Sequence, residues 1–453
     1  MNTSPSASVA PRPPASGQGS GSGRVRHHLS IPLFRNAYAL VAASALTSVL
    51  GLIYWGVAAR RYPEIEVGRG GAAVAALLLI GGASQLNLTH ILPRFLPAHG
   101  EQSRRLVVLS YGAATAAAVV IGGIFVTLGG VDSSLGGTGS PWPARAAFVA
   151  AVVAWNMFTL QDAVLAGIRQ SVWVPVENGL FAATKVALVW LLAGHMPRSG
   201  IFTSWSVPAA MIAVPVSIVL MTRLLPAHQR STAHREAPPS GDLLRYSAAD
   251  YLGGLFQLAS VNLMPLLVAA IVGLRANAAF ATAWIAASAF DLALASVGVS
   301  FTVEGANDED RIHALLGSTV RLSGAITAGG VAAIMVLAPT AMSILGEGYE
   351  AGADVLRLLA LAMPFRAALT VFLSVARLRR RLVAMIATQA ASCTIAVALA
   401  AYLLPRQGIT GAALGYAVAQ AVVAVAVIPT ITREIQGAGH HGRPKHPGPA
   451  VMA

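Results

Sequence analysis

Seven ionisable side chains lie inside long apolar stretches of this sequence, where a charge is costly unless it pairs or serves a pathway. The acids are Asp162, Glu177, Asp250 and Asp291, and the bases are Lys185, Arg357 and Arg366. Each of them is therefore either one member of a structural pair or a candidate functional group. Their spacing along the chain favours one interpretation or the other for some of them.

Asp162 and Glu177 flank a short polar turn. Asp162 lies seven residues before Arg169, and Glu177 lies eight residues after it. If the turn joins two helices, a rise of about 1.5 Å per residue places both carboxyl groups roughly 10 Å from it, at one depth. Such a pair could bind a proton or a coupling cation, and Asp250 is a third candidate for that role. The simpler interpretation is that each acid bonds neighbouring groups, because buried charges are usually paired.

Lys185 and Arg366 lie near the middle of their apolar stretches and are candidates for a substrate path. Lys185 follows Glu177 by eight residues, about 80° around a helix, so a direct ion pair within one helix is not expected. Arg366 has no close acidic partner in sequence, and Pro364 could bend its helix towards a cavity. Both bases could therefore meet an anionic substrate.

Arg357 and Asp291 are substrate-path candidates with simpler alternatives. Arg357 follows Asp354 by three residues, which permits a local salt bridge on one helix. Asp291 could cap a break in its helix or pair with a basic group. For these two residues, a structural role and a role in transport both stay open.

The composition indicates which elements must position these groups. Of the 453 residues, 55% are hydrophobic and only 11% are charged, whereas soluble domains average about 25% charged residues. Because so few charges cannot cover a soluble protein of this size, the apolar excess must face lipid. The composition predicts an all-α polytopic membrane protein and excludes an ordinary soluble enzyme.

Motifs for catalysis or cofactor binding do not occur in the sequence. It contains no P-loop, Rossmann glycine motif, zinc-binding helix or nucleophile elbow. Its one cysteine, Cys393, excludes an intramolecular disulfide and a cysteine-based zinc site. We therefore expect a protein that is not an enzyme and that has no cofactor, no metal site and no catalytic residue.

Apolar stretches long enough for a transmembrane helix of roughly 20 residues occur twelve times along the chain. We place them at 36–59, 72–93, 106–130, 144–168, 172–194, 201–223, 246–272, 277–300, 314–345, 351–376, 382–404 and 409–432. The ninth stretch is long for one helix, so we expect a short extracellular segment after Pro339.

The Lys and Arg residues are distributed unevenly over the predicted loops. With a cytoplasmic N-terminus, 21 of the 31 basic residues lie in inside segments, 7 lie in outside segments and 3 lie within spans. The positive-inside rule predicts such a bias only for a correct span count, since one missed helix inverts every later loop. We therefore expect a multi-pass protein of the cytoplasmic membrane with both termini in the cytoplasm. The net charge of +13 then orients the chain and requires no nucleic-acid partner.

A polar stretch divides the membrane part into two equal halves. The segments 36–223 and 246–432 are 188 and 187 residues long, and six spans in each indicate a parallel internal repeat, as in several transporter folds. The predicted organisation is a disordered cytoplasmic tail, an N-lobe of six helices, a cytoplasmic linker, a C-lobe of six helices and a second disordered tail. These regions correspond to 1–30, 31–223, 224–245, 246–434 and 435–453.

Three stretches carry a family resemblance. Residues 345–381 (LGEGYEAGADVLRLLALAMPFRAALTVFLSVARLRRR) combine a Gly-x-x-Tyr element with a Val-Leu-Arg-x-Leu core. A Pro-x-x-Gly-Ile-x-Gly-Ala turn follows at 405–412, and 154–178 is a further similar stretch. In these features the chain resembles the polysaccharide-type (Wzx-like) lipid flippases of the multidrug, oligosaccharidyl-lipid and polysaccharide (MOP) exporter superfamily.

This resemblance implies two six-helix lobes around a central cavity that alternate between inward-open and outward-open states. It implies a substrate glycan linked to undecaprenyl pyrophosphate, whose phosphates would require cavity bases, and Lys185 and Arg366 lie at suitable depths. Some flippases of this superfamily carry several cavity arginines on the first, second and eighth spans, where this chain has none mid-span. The expected partners are the lipid-linked glycan, membrane lipids, and a glycan polymerase or glycosyltransferases.

Three functions agree with these observations. The leading hypothesis is a flippase that moves a lipid-linked oligosaccharide, or a related cell-envelope polysaccharide precursor, across the bacterial inner membrane by alternating access. The alternative is a cation-coupled multidrug antiporter of the same superfamily, with H⁺ or Na⁺ bound at Asp162 and Glu177 or at Asp250. The third hypothesis is a non-transporting membrane scaffold for glycan-assembly enzymes.

Overall fold

A computed structural model of the chain describes residues 49–129, 142–232, 241–307, 312–379 and 381–441. Within these ranges all regular secondary structure is helical. The predicted tail at 1–30, the beginning of the first predicted span and the end of the predicted tail at 435–453 lie outside the described residues. The final helix extends to His441, so the first residues of that second predicted tail are helical.

The first half of the described chain, here called the N-half, contains eight helices. They are α1 (49–61), α2 (Glu64–Ser84), α3 (Leu88–Phe95), α4 (Ser103–Thr127), α5 (Trp142–Gly167), α6 (Trp173–Leu192), α7 (Gly200–Val219) and α8 (Leu225–Thr232). Two 3₁₀ turns, Leu96–Ala98 and Gly100–Gln102, connect α3 to α4. A π-helical turn, Leu220–Leu224, joins α7 directly to α8.

The second half, here called the C-half, contains five helices. They are α9 (Gly241–Ile271), α10 (Leu274–Asn307), α11 (Ile312–Leu345), α12 (Gly352–Leu378) and α13 (Leu382–His441). A 3₁₀ turn, Glu347–Tyr349, precedes α12.

Helix α13 consists of two segments that meet at Gly408. This residue has φ 60° and ψ −145°, a conformation that glycine adopts readily and other residues rarely. After the break the chain turns back on itself, because a Cβ on Gly415 would lie 2.9 Å from the Ala400 backbone nitrogen. The two segments therefore pack side by side and correspond to the two predicted spans at 382–404 and 409–432.

The predicted fold class is confirmed. Each of the twelve predicted spans overlaps a helix, and nine helical segments in the described part of the chain are long and apolar enough to cross a membrane. With every backbone hydrogen bond closed inside its own segment, such helices can span lipid. The inside location of the two termini stays a prediction.

The prediction of the second span, 72–93, is wrong in two respects: the helix begins earlier, and two separate helices occupy the region. Helix α2 begins at Glu64, because Glu66 and Arg69 form an i,i+3 ion pair that offsets their charges and both side chains are buried. The helix ends at Ser84, since Leu86 and Asn87 have positive φ angles of 52° and 62°. Helix α3 then continues as a separate element.

The short extracellular segment expected after Pro339 is also wrong. Helix α11 continues through this proline to Leu345, because a proline removes one backbone donor and often bends a membrane helix without ending it. The predicted linker at 224–245 is helical at both ends, in α8 and at the start of α9, and its middle, 233–240, lies outside the described residues.

The two halves meet along α2. At one end of the helix, Gly68 packs so closely on α10 that a Cβ there would collide with the Leu274 carbonyl, and the Asn277 amide donates to the Gly68 carbonyl at 2.8 Å. At the other end, the Tyr251 hydroxyl of α9 donates to the Ala83 carbonyl at 2.6 Å. Helix α2 therefore contacts the C-half at both of its ends.

Candidate functional site

A cavity of about 330 Å³ lies between the N-half and the C-half, beside the middle of α2. Its walls come from α1, α2, α6 and α7 on one side and from α9 and α10 on the other. Most of the lining is aliphatic or aromatic, including the three indoles of Trp55, Trp205 and Trp284, and the other polar lining residues are Lys185, Asn262 and Ser288. The cavity is therefore suited to an apolar ligand that carries a small number of polar groups.

The ammonium group of Lys185 lies among three aromatic rings. Its nitrogen is 4.2 Å from the ring centre of Trp205, 5.1 Å from that of Phe181 and 5.3 Å from that of Tyr54. These distances are within the range of cation–π attraction. The rings hold the ammonium in place without cancelling its charge. We call these four residues the aromatic lysine site.

Tyr54 is fixed in the aromatic lysine site by hydrogen bonds. Its hydroxyl donates to the Ile201 carbonyl at 2.9 Å and lies 2.8 Å from the Ser204 hydroxyl. Because both partners lie on α7, these contacts join α1 to the helix that carries Trp205. The site is thus built by three helices, α1, α6 and α7, and not by a flexible loop.

Lys185 has no acidic partner within the described ranges. Only 6% of the residue is exposed, yet no described carboxylate lies within 4.0 Å of its nitrogen. A buried cation without a counter-charge is unusual, because the cost of removing it from water is normally offset by an ion pair. An anionic group that enters the cavity would supply the missing charge.

Arg366 is paired, unlike Lys185. Its Nε donates to the Asp291 carboxylate at 2.5 Å, and its Nη1 donates to the Tyr416 hydroxyl. The three residues lie on α12, α10 and α13 and form a neutral group inside the C-half. Asp291 thus pairs with a basic group, which was one of its two predicted structural roles. Arg366 has the acidic partner that sequence proximity did not reveal.

The Arg366 group lies behind the wall of the cavity. Trp284 and Ser288 line both the cavity between the two halves, here called the central cavity, and the small pocket that contains Asp291 and Arg366. Arg366 also borders a second pocket of about 50 Å³. Amides and hydroxyls supply its polar lining, from Gln257, Ser260, Thr370, Thr388, Gln389, Ser392 and Gln420, and Val261, Leu369 and Leu373 complete it. This pocket has room for ordered water.

Asp162 and Glu177 come together as the sequence predicts. Their carboxyl groups lie close enough to interact electrostatically. The Asn178 amide donates to Asp162 at 2.9 Å, and the Gln161 amide donates to Glu177 at 3.4 Å. The pair lies inside the N-half, next to the turn that joins α5 to α6. Both predicted interpretations have support here, since local amides contact the acids and the acids also interact with each other.

Asp250 lies apart from this acidic pair. Its carboxylate accepts a hydrogen bond from the Asn87 amide at 3.5 Å and lies 3.7 Å from Arg377. Asn87 is at the break between α2 and α3, whereas Arg377 is at the end of α12. Asp250 therefore connects the two halves. The structure does not bring it to a shared cation site with Asp162 and Glu177.

Arg357 forms the local salt bridge that its spacing permits. Its Nη1 lies 3.2 Å from Asp354, and the Asp354 side chain is 69% exposed. Arg357 does not contribute to the lining of the central cavity. Among the four substrate-path candidates, only Lys185 presents an unpaired charge to that cavity.

Sequence reasoning missed most of the neighbours that define these sites. Phe181 lies four residues before Lys185 on α6, and this spacing could have identified it as a contact on the same helix face. Tyr54 and Trp205 come from other helices, and Tyr416 reaches Arg366 from 50 residues away. No spacing rule identifies such contacts, because they depend on how the helices pack.

Solved structures of transporters and of a flippase have folds similar to that of this chain. An inward-facing multidrug resistance MATE family transporter of the MOP superfamily aligns with a TM-score of 0.65 and 14% identity, over 88% of this chain and 96% of the other. The lipid II flippase MurJ in an inward closed conformation gives 0.64 and 10%, over 88% and 90%. An outward-facing MATE family transporter gives 0.58 and 13%, over 89% and 97%.

At these identities the comparison shows a shared fold. The coverage of both chains is high, so the whole helical arrangement is similar and not a fragment of it. This agrees with the predicted MATE-like architecture. No protein-family profile matches the chain, and no curated protein sequence matches it.

Proposed function

We propose that the chain is a membrane transporter that moves a lipid-linked saccharide, or a related anionic cell-envelope precursor, across the bacterial cytoplasmic membrane by alternating access. Multidrug transporters and a lipid II flippase share its fold. Its cavity lies between two halves that contact each other at both ends of α2. Opening one set of contacts while keeping the other would expose the cavity to one side at a time.

The unpaired charge of Lys185 is the observation that carries this proposal. One cation in an otherwise apolar and aromatic cavity favours a molecule with a compact anionic group and a large apolar or ring-shaped part. The indole N–H groups of Trp205 and Trp284 are buried without an acceptor among the described residues. The cavity therefore offers donors and a positive charge, which suit phosphate and sugar oxygens.

The same charge makes cationic drugs poor substrates. A positively charged ligand in this cavity would meet the Lys185 ammonium at close range in a weakly polar environment, where repulsion is strong. This argues against the drug antiporter alternative. The acidic pair Asp162–Glu177 supports that alternative, because it could bind a coupling ion, but such a site is equally compatible with an ion-driven flippase.

The orientation follows from the distribution of positive charge. With both termini in the cytoplasm, the Gly68 end of α2 faces outwards and the Asp250 contacts face the cytoplasm. Glycosyltransferases or a glycan polymerase would act on the cargo before or after its transfer. These partners follow from the proposed cargo alone.

A complementation experiment tests the proposal. A strain lacking the gene is supplied with the wild type, Lys185→Met, Lys185→Arg or, as the matched control, Arg357→Met. We measure surface glycan and the lipid-linked intermediates that accumulate inside. We expect Lys185→Met to resemble the deletion, Lys185→Arg to retain part of the export, and Arg357→Met to resemble the wild type.

Each competing function predicts a different result. If the deletion changes neither surface glycan nor lipid-linked intermediates, the proposed cargo is wrong. Export of cationic dye from vesicles under an imposed ion gradient would support the antiporter instead. A scaffold that inserts normally would tolerate Lys185→Met, because it does not use the cavity.

A further inference from the structure

A groove of about 680 Å³ lies on the C-half between α11, α12 and the second segment of α13. It is about twice as large as the central cavity and shares no lining residue with it. The floor is buried and consists of Ser323, Thr327, Ala367, Val371 and Ile431, whereas the exposed rim includes Val320, Gly324, Ala328, Ala332, Pro364, Ile428 and Thr432. The groove is therefore open and separate from the cavity proposed for transport.

The rim of the groove lies on a surface that faces lipid in a membrane. Leu322, Val336 and Leu337 on α11 and Val425 on α13 are 52% to 75% exposed. Large apolar side chains are exposed to this degree in a membrane protein because hydrocarbon, and not water, surrounds its helices. Lipid chains therefore have direct access to the groove.

The length of the groove matches one leaflet of a bilayer. Its lining on α11 runs from Val320 to Ala332, about 18 Å at a rise of 1.5 Å per residue. The hydrocarbon core of a bilayer is about 30 Å thick, so one leaflet contributes about 15 Å. After Val320 the rim on α11 consists of small residues at every fourth position, Gly324, Ala328 and Ala332. They leave room beside the helix for one acyl chain.

Two exposed arginines lie at one end of the groove. Arg321 follows the lining residue Val320 on α11, and Arg433 follows the lining residue Thr432 on α13. No described carboxylate lies within 4.0 Å of either guanidinium group. Arg321 Nε donates to the Gly317 carbonyl at 3.3 Å, so this side chain points back towards the start of α11. With both termini in the cytoplasm, this end of the groove faces the cytoplasmic leaflet.

The floor of the groove contains a buried hydroxyl without a hydrogen-bond partner among the described residues. Thr327 is 6% exposed, and its Oγ1 has neither a donor nor an acceptor beside it. A helical threonine often donates to the carbonyl of the preceding turn, as Thr370 does on α12. Ser323 adds a second hydroxyl to the floor, one turn closer to Arg321. Charges and hydroxyls thus follow one another in the order in which a phospholipid carries its phosphate and its ester oxygens.

We propose that the groove binds one membrane phospholipid with an anionic head group, taken from the cytoplasmic leaflet. Its phosphate meets Arg321 and Arg433, its ester oxygens meet Ser323 and Thr327, and one acyl chain lies along α11. Arginine binds phosphate through charge-assisted hydrogen bonds, and basic pockets between membrane helices on the cytoplasmic side bind anionic head groups. The site does not depend on the cargo proposed for the Lys185 cavity.

Lipid binding can be measured by native mass spectrometry on the purified full-length protein. The protein is delipidated in detergent and titrated with phosphatidylglycerol, or with zwitterionic phosphatidylcholine that carries the same acyl chains. Because the two lipids differ only in their head groups, the ratio of their affinities reports the contribution of the net charge. We expect one phosphatidylglycerol per chain, bound about tenfold more tightly than phosphatidylcholine.

Variants separate the contacts of the head group from those of the chain. In Arg321→Gln/Arg433→Gln both charges are removed, so we expect the preference for phosphatidylglycerol to be lost. In Gly324→Leu a side chain enters the groove at a position where a Cβ would meet no atom within 4 Å, so we expect both lipids to bind about tenfold more weakly. The matched control, Arg104→Gln/Arg105→Gln, changes two exposed arginines of α4 and should bind lipid like the wild type.

Four results would overturn the proposal. Equal retention of both lipids by the wild type would show that the arginines form no head-group site. A preference that survives Arg321→Gln/Arg433→Gln would place that site elsewhere, and unchanged binding in Gly324→Leu would exclude the groove. A dimeric wild type that becomes monomeric in Gly324→Leu without a change in lipid binding would show that a second copy covers the groove. None of these results bears on transport through the Lys185 cavity.

Discussion

Buried charges near the cavity are paired in the C-half but lack an opposite charge in the N-half, although Glu66 and Arg69 at the start of α2 also form a buried ion pair. In the C-half, Arg366 pairs with Asp291 at 2.5 Å and also donates to Tyr416. In the N-half, Lys185 lies among aromatic rings without a carboxylate in the described part, and Asp162 and Glu177 interact with each other without a base. The C-half neutralises these charges with partners of its own. The N-half leaves them without an opposite charge, which an external ligand could supply.

This difference separates structural from functional charge. A paired charge inside a protein specifies packing, and removing one partner leaves the other uncompensated. An unpaired charge lowers stability and is retained where it binds something. By this criterion the N-half carries the buried charges that bind ligands, and the Arg366 group holds α10, α12 and α13 together.

The largest expected effect is on the stability of the C-half. Arg366→Ala leaves Asp291 partly buried without its partner, so we expect a loss of about 2–4 kcal/mol in the free energy of unfolding. The double variant Asp291→Leu/Arg366→Met removes both charges and should regain most of it. Thermal unfolding in detergent measures both. Equal stability of the wild type and Arg366→Ala would show that the pair does not hold the C-half together.

Lys185→Met should impair transport and leave stability intact. We expect transport to fall about 10–100-fold, since a hydrogen bond to a charged group contributes roughly 1.5–3 kcal/mol. We expect Tm to stay unchanged or to rise, because the variant removes a buried charge without breaking an ion pair. Transport in reconstituted vesicles and thermal unfolding measure the two quantities. A large fall in Tm with unchanged transport would assign Lys185 a structural role.

The smallest effect concerns an exposed pair. Arg357→Ala breaks a salt bridge with Asp354, which is 69% exposed, so we expect a change within about 0.5 kcal/mol in unfolding free energy and none in transport. Thermal unfolding and the vesicle assay provide the measurement. A transport defect in this variant would place Arg357 on the substrate path after all.

The sequence predicted the helices well because lipid imposes a simple rule. A run of about 20 apolar residues must be helical to close its backbone hydrogen bonds, so every predicted span overlaps a helix. The prediction of helix ends failed where an ion pair is buried inside a helix. Glu66 and Arg69 lower the hydropathy at the start of α2, yet they pair and are buried.

The site was predictable only where its members are neighbours in sequence. Asp162 and Glu177 meet across a short turn, and Arg357 meets Asp354 three residues away on one helix. The pair of Asp291 with Arg366 spans 75 positions, and the rings around Lys185 come from three helices. These contacts follow from tertiary packing, which periodicity does not encode. Sequence alone therefore could not tell a paired from an unpaired base.

The central claim is that the Lys185 charge meets an anionic group in the cavity. Equilibrium binding of a polyprenyl phosphate and of the matching neutral polyprenol, each to the wild type and to Lys185→Met, isolates the contribution of that charge. We predict that the wild type binds the phosphate at least tenfold more tightly than the polyprenol and that Lys185→Met binds both equally. Undiminished preference for the phosphate in Lys185→Met would contradict the claim.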